Sequence, residues 1–205
     1  MFRKLFMILV LPVLIGVAGC VSLLTPKVEQ EVAQLKSGSY GLDQSHAALL
    51  FKVQHLGLST YVGRFNTLDA SLEFNPGKLA ETRLTALVDM ASIDINDESL
   101  AKRIRGPQWF NVGKYPQAKF STLEVKPLSE NRFGFIGQLD WRGIIKPITL
   151  TVTFHGGANN ILTGKYTLGF SAEGHFNRSD FGLDAYLPLV GDRIELEGHA
   201  EFQKN

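Results

Sequence analysis

The chain has 205 residues, of which 44% are hydrophobic, and a formal net charge of +1 from 21 basic and 20 acidic side chains. A near-neutral chain without a cluster of Lys and Arg lacks the electrostatic footprint of a nucleic-acid-binding protein. The one cysteine excludes internal disulfides, so a single domain of this length must be stabilised by packing.

Residues 1–19 have the features of a secretory signal peptide. Arg3 and Lys4 precede an apolar run from Leu5 to Val17, and small residues follow this run. The run is shorter than the roughly 20 apolar residues that a membrane-spanning helix needs. We therefore expect an exported protein, and a permanent transmembrane helix is the weaker interpretation.

Cys20 is the predicted site of lipidation. It follows a Val-Ala-Gly triplet, which looks like the bacterial lipobox, where the thiol receives a diacylglyceryl group and the protein gains fatty acyl chains such as palmitate. The alternative is an ordinary signal peptide cut nearby, which leaves a free thiol. Val21 rather than an aspartate comes next, so in a cell with two membranes we expect an anchor in the outer membrane, facing the periplasm.

Residues 20–39 are predicted to be the lipidated N-terminus and a tether. Val28, Val32 and Leu35 recur at helical spacing, which is compatible with a short amphipathic helix, and a Ser-Gly-Ser sequence then interrupts it. The sequence that follows forms one domain, which we place at residues 40–205.

Beyond Tyr40 the hydrophobic period becomes two, which is typical of antiparallel strands with one buried and one solvated face. Turn sequences such as Asn75-Pro76-Gly77 separate the runs. About eight strands are predicted, near residues 51–55, 69–74, 84–90, 118–125, 132–142, 148–154, 166–176 and 194–202. This all-β pattern fits an antiparallel barrel or a sandwich. Glycines inside strands, such as Gly137 and Gly174, fit the bends of a closing sheet and favour the barrel.

One segment, around residues 96–112, departs from the strand pattern. Asn96-Asp97-Glu98-Ser99 has the residues of a helix start, and Gly106-Pro107 ends that helix. Trp109 and Phe110 follow in a second short helical turn. Two interpretations are equally open: a helical insertion that caps one barrel end, or a long loop whose aromatic side chains fill the core.

The sequence contains no Gly-x-Ser-x-Gly elbow, no His-Glu-x-x-His and no P-loop. We therefore expect no enzymatic activity, no bound metal and no cofactor. Asp43 and His46 are close enough in sequence to form a local hydrogen bond, which we interpret first as part of a structural turn. Arg178 lies in a turn rich in Asn, Ser and Asp, where we expect it to anchor against a carboxylate.

The inward-facing positions of the predicted strands are rich in aromatic residues. Rings such as those of Phe135 and Trp141 alternate with small residues such as Gly137 and Ala172. A small barrel with this interior either encloses a cavity for one ligand or packs its side chains into a solid core. Periodicity alone leaves both interpretations open.

A series of short motifs runs through nearly the whole domain. These motifs are Tyr40-x-Leu42-Asp43-x-x-His46, Phe51-x-Val53-x-His55-Leu56-Gly57, Gly63-x-Phe65, Ser92-Ile93-Asp94, Trp109-Phe110-x-Val112-x-Lys114-Tyr115-Pro116, Phe120-Ser121-Thr122, Gly137-x-Leu139, Arg142-Gly143-x-x-Lys146-Pro147 and Asn177-Arg178-Ser179-Asp180-Phe181-Gly182. These motifs occur in the same order in the YceI-like family of bacterial exported proteins, which the chain therefore resembles. Two departures are Ala47, where a serine is usual, and Arg103 to Gln108, which replace an acidic, histidine-containing stretch.

The resemblance implies a lipocalin-like barrel that binds a long-chain isoprenoid lipid, such as a quinone or a polyprenyl phosphate, in an apolar channel. Burial of such a tail is favourable by about 0.8 kcal/mol per CH₂ group. The expected apolar lining is Phe51, Val53, Phe65, Leu72, Phe74, Leu84, Val88, Trp109, Phe110, Phe120, Phe135, Leu139, Trp141, Phe170 and Phe176. Asp43, His46 and Arg178 are the candidates for polar groups at the mouth of the channel.

Two functional hypotheses follow. The first is a carrier or storage module without catalysis, whose partners are an isoprenoid or other amphiphilic lipid and the membrane to which Cys20 attaches. The second is a solid-core barrel that acts as an envelope stress or interaction protein without a lipid ligand. The oligomeric state is left open, with a homodimer among the alternatives.

Overall fold

The alternating segments form ten strands of one antiparallel sheet in the computed structural model, which describes residues 26–205. The strands are β1 (Gly38–His55), β2 (Ser59–Phe65), β3 (Leu68–Phe74), β4 (Arg83–Asp89), β5 (Ile93–Asp94), β6 (Gln117–Ser129), β7 (Arg132–Trp141), β8 (Ile144–Asn159), β9 (Tyr166–Asn177) and β10 (Val190–Lys204). Period-two sequences form such ladders because successive side chains point to opposite faces of a sheet.

Eight of the strands close into a barrel. Their hydrogen-bonded order is β10, β9, β8, β7, β6, β4, β3 and β1, and β10 then pairs with β1 to complete the ring. β2 pairs with the second half of β1, and β5 pairs with β2, so these two strands extend the wall at one end. The predicted eight-stranded antiparallel lipocalin-like barrel is confirmed, with two strands outside the ring that the sequence pattern did not predict.

The first strand contains a bulge that reverses its alternation. Against β10, the register shifts between Leu42 and Ala47. The side chain of Tyr40 is fully buried in the core before the bulge, and Leu49, Phe51 and Val53 face inward after it. Here β1 advances five residues, from Leu42 to Ala47, where β10 advances two, and the three extra residues leave the ladder locally unpaired and change which face their neighbours present.

One helix, α1 (Glu98–Arg105), lies between β5 and β6. The Asp97 side chain caps its start by accepting a hydrogen bond from the Leu100 backbone N–H at 3.0 Å, and Gly106 ends it. The insertion predicted over residues 96–112 is therefore helical only in its first part. Pro107 cannot continue the helix, and the chain folds back so that Phe110 N–H donates to Ile104 O at 2.9 Å. Among residues 26–205, no helix is long and apolar enough to span a membrane.

The segment before β1 packs on the barrel instead of forming the amphipathic helix that its spacing permits. Glu29 and Gly157 exchange two backbone hydrogen bonds of 2.8 Å, and a single 3-10 turn covers Val32–Gln34. Leu35 is only 5% exposed, within the core. Residues from Glu29 onward therefore belong to the barrel, and only the chain before them is left to act as a tether.

Two clusters of buried side chains divide the interior along the barrel axis. The first cluster lies at the end where β1 begins and β10 finishes, and we call this the closed end. Its fully buried members are Leu35, Tyr40, Leu72, Phe74, Phe120, Val125, Phe133, Phe135, Ile148, Val152, Phe154, Leu168 and Phe202. The second cluster lies at the opposite end, beside α1, and we call this the open end. Its members are Phe65, Met90, Ile93, Ile95, Ala101, Phe110, Ala118, Trp141, Phe181 and Leu183.

Candidate ligand-binding cavity

A cavity of about 430 Å³ occupies the open end of the barrel. Its walls are inward-facing side chains of the strands. Three segments surround its mouth: α1, the connection that follows β1 and the connection that follows β9. The volume lies within the range of pockets that bind small molecules, and the lining is almost entirely apolar, as such pockets usually are. Among the described residues that line it there are two arginines and one histidine but no carboxylate.

The closed end is solid. The void detected there measures about 10 Å³, at or below the smallest space that holds one water molecule. The interior is therefore hollow at one end and packed at the other, and each of the two interpretations of the aromatic interior describes one half. A ligand that enters the cavity meets the packed half as a floor.

The predicted lining residues divide between these two halves. Nine of them line the cavity, namely Phe51, Val53, Phe65, Val88, Trp109, Phe110, Leu139, Trp141 and Phe176. Six lie in the closed-end core or pack against it, namely Leu72, Phe74, Leu84, Phe120, Phe135 and Phe170. Alternation identifies the inner face of a strand, but it carries no information on the height of a residue along the barrel axis, which accounts for these six.

The aromatic residues of the cavity wall pack against one another. The Trp141 ring meets Phe110 edge-on at a centroid distance of 5.2 Å and Phe176 at 6.0 Å. Phe110 also stacks on Phe65 at 6.3 Å, and the rings of Phe51 and Phe65 are 5.6 Å apart. Gly63 makes room for this pair, because a Cβ atom there would lie 2.4 Å from Cζ of Phe51. Such edge-on and tilted pairs stabilise the wall in a fixed arrangement around the cavity.

Trp141 also brings an unpaired donor to the site. The ring is 5% exposed and lines the cavity, and its Nε1 has no hydrogen-bond partner among the described residues. Buried donors are nearly always satisfied in native proteins.

Several lining residues were not predicted from the sequence. Ile194 and Leu196 of β10 follow the strand alternation, whereas Leu100, Arg103 and Ile104 come from α1, which has no strand alternation. The other unpredicted lining residues are Leu49, His55, Leu56, Tyr61, Met90, Ile93, Ile95, Ala118, Leu183, Tyr186, Leu189 and Val190. Those in loops follow no period, so pattern analysis had no means of finding them.

Arg178 lines the cavity, but its charge is already engaged. Its Nε and Nη2 donate to the carbonyl oxygens of Gly191 and Val190 at 2.8 Å each, and Nη1 donates to that of Leu183. Burial lowers the pKa of Arg178, and Asp192 partly offsets this effect. The Asp192 carboxylate itself accepts hydrogen bonds from the N–H and Oγ of Ser179, at 2.9 and 2.7 Å. Arg178 is thus held by three carbonyls, not by the expected carboxylate.

Asp43 and His46 do not reach the mouth of the cavity. They lie at the bulge of β1 on the outer wall, where His46 Nδ1 donates to Asp43 Oδ2 at 3.0 Å. This hydrogen bond raises the pKa of His46 and lowers that of Asp43. Sequence spacing predicted this local pair, but the bulge turns both side chains away from the interior. Cys20 lies outside the described residues, so its lipidation stays a prediction.

Together with Glu201, Asp43 and His46 form a group whose ligating atoms all lie within 4.8 Å of one another. The Asp43 oxygens already accept hydrogen bonds from Ser45 N–H at 3.0 Å and from Gln203 Nε2 at 2.6 Å. His46 is largely exposed. We interpret the group as a polar network that secures the bulge to β10, because the Asp43 carboxylate accepts hydrogen bonds from side chains and backbone within the protein.

A closed eight-stranded antiparallel barrel with an apolar cavity at one end defines a lipocalin-like barrel protein. Residues 40–202 match the model of the YceI-like domain, and the chain belongs to this family. A UPF0312 protein of Yersinia enterocolitica is 33% identical over 162 residues, which cover 78% of this chain and 83% of that protein. A UPF0312 protein of Yersinia pestis matches with the same identity and coverage.

Solved structures share the fold. BcnA of Burkholderia cenocepacia superposes with a TM-score of 0.71 at 22% identity, covering 78% of this chain and 98% of that one. The Campylobacter jejuni YceI protein gives 0.66 at 25% identity, with 74% and 90% covered. A polyisoprenoid-binding domain from Saccharophagus degradans gives 0.63 at 14% identity, with 81% and 98% covered.

Proposed function

We propose that this protein is an exported lipoprotein that binds an amphiphilic, long-chain isoprenoid lipid, of the quinone or polyprenyl type, and serves as a carrier or storage module without catalysis. The observation that carries this proposal is the apolar cavity of about 430 Å³ at the open end. An apolar chain gains about 0.8 kcal/mol per CH₂ group on leaving water for such a site, and it makes few polar demands on the lining.

The polar head of the ligand belongs at the mouth. Arg103 lines this region, is exposed and makes no ion pair with any residue among 26–205, in contrast to the fully engaged Arg178. The fold shared with a polyisoprenoid-binding domain supports the same mode of binding. A solid-core interaction protein is less favoured, since only the closed end is solid.

Native mass spectrometry of the protein isolated from its own bacterium tests the binding proposal. We expect the folded protein to be heavier than the denatured protein by the mass of one apolar molecule, which organic solvent extracts. The covalent anchor stays attached after denaturation, so it cannot produce this difference. A folded protein with the same mass before and after denaturation would contradict the binding of a lipid.

Cys20→Ser tests the anchor and the proposed envelope location. We expect the wild-type protein to remain with washed outer membranes and the variant to be recovered in the soluble periplasmic fraction with unchanged thermal melting, because a multiply acylated cysteine holds a protein stably at a membrane. Ser22→Ala is the matched control, since it alters a neighbouring small residue without removing the thiol. The same distribution of the wild-type protein and the variant between washed membranes and the soluble fraction would contradict the anchor.

A further inference from the structure

The mouth of the cavity is surrounded by exposed apolar side chains. These are Leu56, Leu58, Tyr186, Leu187 and Leu189, and together with the half-buried Trp109 we call them the apolar rim. Four of the six, Leu56, Trp109, Tyr186 and Leu189, also line the cavity, so the rim is continuous with its interior. Contiguous exposed apolar surface around a binding site marks a place of contact with a partner.

Direct contacts join the three segments that form the apolar rim. Leu56 N–H donates to Leu189 O at 2.7 Å, which ties the turn after β1 to the loop before β10. The rings of Trp109 and Tyr186 stack at a centroid distance of 6.0 Å, which ties that loop to the segment after α1. The rim is therefore one surface with a fixed arrangement of side chains.

We propose that the apolar rim docks the barrel, mouth first, on the surface of a lipid bilayer. Leucines that insert among acyl chains, with Trp and Tyr at the level of the head groups, are the composition that partitions into a membrane interface. Arg103 adds an exposed cation at the mouth, but the loop that carries Tyr186 and Leu187 also holds the exposed Asp184, so the apolar side chains and not a net charge favour the membrane surface.

A bilayer fits this surface better than a protein partner does. A second copy of the chain, or another protein seated on the rim, would cover the opening through which a ligand enters. A fluid bilayer seals the rim from water and still leaves the cavity open to the lipid phase. The inference does not depend on Cys20, and it adds to the proposed function the route by which the cavity is filled.

Amide hydrogen exchange locates the docked face directly. The test uses the full chain carrying Cys20→Ser, so that no acyl group is attached, with vesicles of phosphatidylethanolamine and phosphatidylglycerol. We expect vesicles to slow exchange in residues 56–58 and 184–189 and to leave the turn at residues 160–165 unchanged, because this turn lies at the closed end. Protection spread equally over both ends would overturn the proposal.

Leu58→Gln measures the contribution of the rim. Leu58 is 85% exposed and does not line the cavity, so the variant leaves the binding site intact. We expect its partitioning onto vesicles to fall about tenfold, which corresponds to about 1.4 kcal/mol. Leu162→Gln is the matched control, since Leu162 is 92% exposed at the closed end. The N-terminal segment is the same in both variants, so it cannot produce a difference between them.

Three further outcomes distinguish membrane docking from the alternatives. Equal partitioning of Leu58→Gln and Leu162→Gln would overturn membrane docking. Loss of a self-associated species in Leu58→Gln, with unchanged vesicle binding, would assign the rim to a second copy of the chain and overturn it as well. Docking that persists while no apolar molecule is found in the cavity would support the rim and contradict the proposed function, so the two failures are distinguishable.

Discussion

Replacing Ala118 with phenylalanine is expected to weaken the binding of a long-chain quinone on the order of 100-fold. Ala118 faces the cavity from β6, beside Val88 of β4. A ring at this position fills space that the ligand chain would otherwise occupy. Displacing three or four CH₂ groups costs about 2.4 to 3.2 kcal/mol at roughly 0.8 kcal/mol each, and each 1.4 kcal/mol is a factor of ten.

Tryptophan fluorescence measures this change. Both tryptophans of the chain, Trp109 and Trp141, line the cavity, so a bound quinone quenches their emission without any added label. Leu162→Phe is the matched control, because it adds the same ring on the exposed turn at the closed end. The melting temperature of Ala118→Phe should not fall, since the ring enters a void and not a packed core. Unchanged quinone affinity in the folded variant would contradict binding in this cavity.

The fold could be predicted from the sequence because nearly every strand carries the same simple signal. Inward residues of β7, such as Phe133 and Phe135, alternate with outward ones that include Arg132, Gln138 and Asp140, and a closed barrel gives each strand one buried face. β5 was not predicted, because two residues, Ile93 and Asp94, are too short for any period. α1 was predicted from the helix-start residues Asn96 to Ser99 and from the Gly106-Pro107 sequence that ends it, and the structure assigns the cap to Asp97.

The candidate site was only partly predictable, for two physical reasons. Phe120 and Phe176 have the same character in sequence, yet one packs at the closed end and the other lines the cavity, because strand tilt and stagger set the height of each residue. Asp43 and His46 come shortly after the alternating residues Tyr40 and Leu42. The register shift after Leu42 nevertheless places both side chains on the outer wall. A bulge leaves no clear trace in hydrophobic periodicity.

The division of the barrel into two ends separates stability from binding. The closed end holds most of the continuous core, whereas the open end leaves a cavity and exposes the apolar rim. Side chains that face the cavity lack packing partners on that side, so a change there alters the space for a ligand more than it alters the packed core. We therefore expect substitutions in the cavity to change binding with little effect on global unfolding, with one exception at the open end.

Arg178→Met is that exception, and it is expected to lower the free energy of unfolding by about 3 to 5 kcal/mol. The guanidinium donates hydrogen bonds to the carbonyl oxygens of Leu183, Val190 and Gly191, and Arg178 is only 4% exposed. Methionine leaves three acceptors without a donor in a desolvated site, at about 1–3 kcal/mol for each group that finds no water. In a domain of this size each kcal/mol shifts the melting temperature by roughly 2–4 °C, so we expect a fall of about 6 to 20 °C.

The loss in Arg178→Met should concentrate in the connection between β9 and β10, because the three carbonyls that Arg178 secures all lie between residues 183 and 191. Hydrogen exchange there should accelerate more than at the closed end. Arg193→Met is the matched control: Arg193 is largely exposed, and an exposed arginine contributes little to stability. Arg178→Lys should recover only part of the loss, since a single ammonium cannot reach three divergent carbonyls as the planar guanidinium does. Equal melting temperatures for the Arg178→Met and Arg193→Met variants would show that this connection is held by its apolar contacts, and Arg178 would then have no structural role.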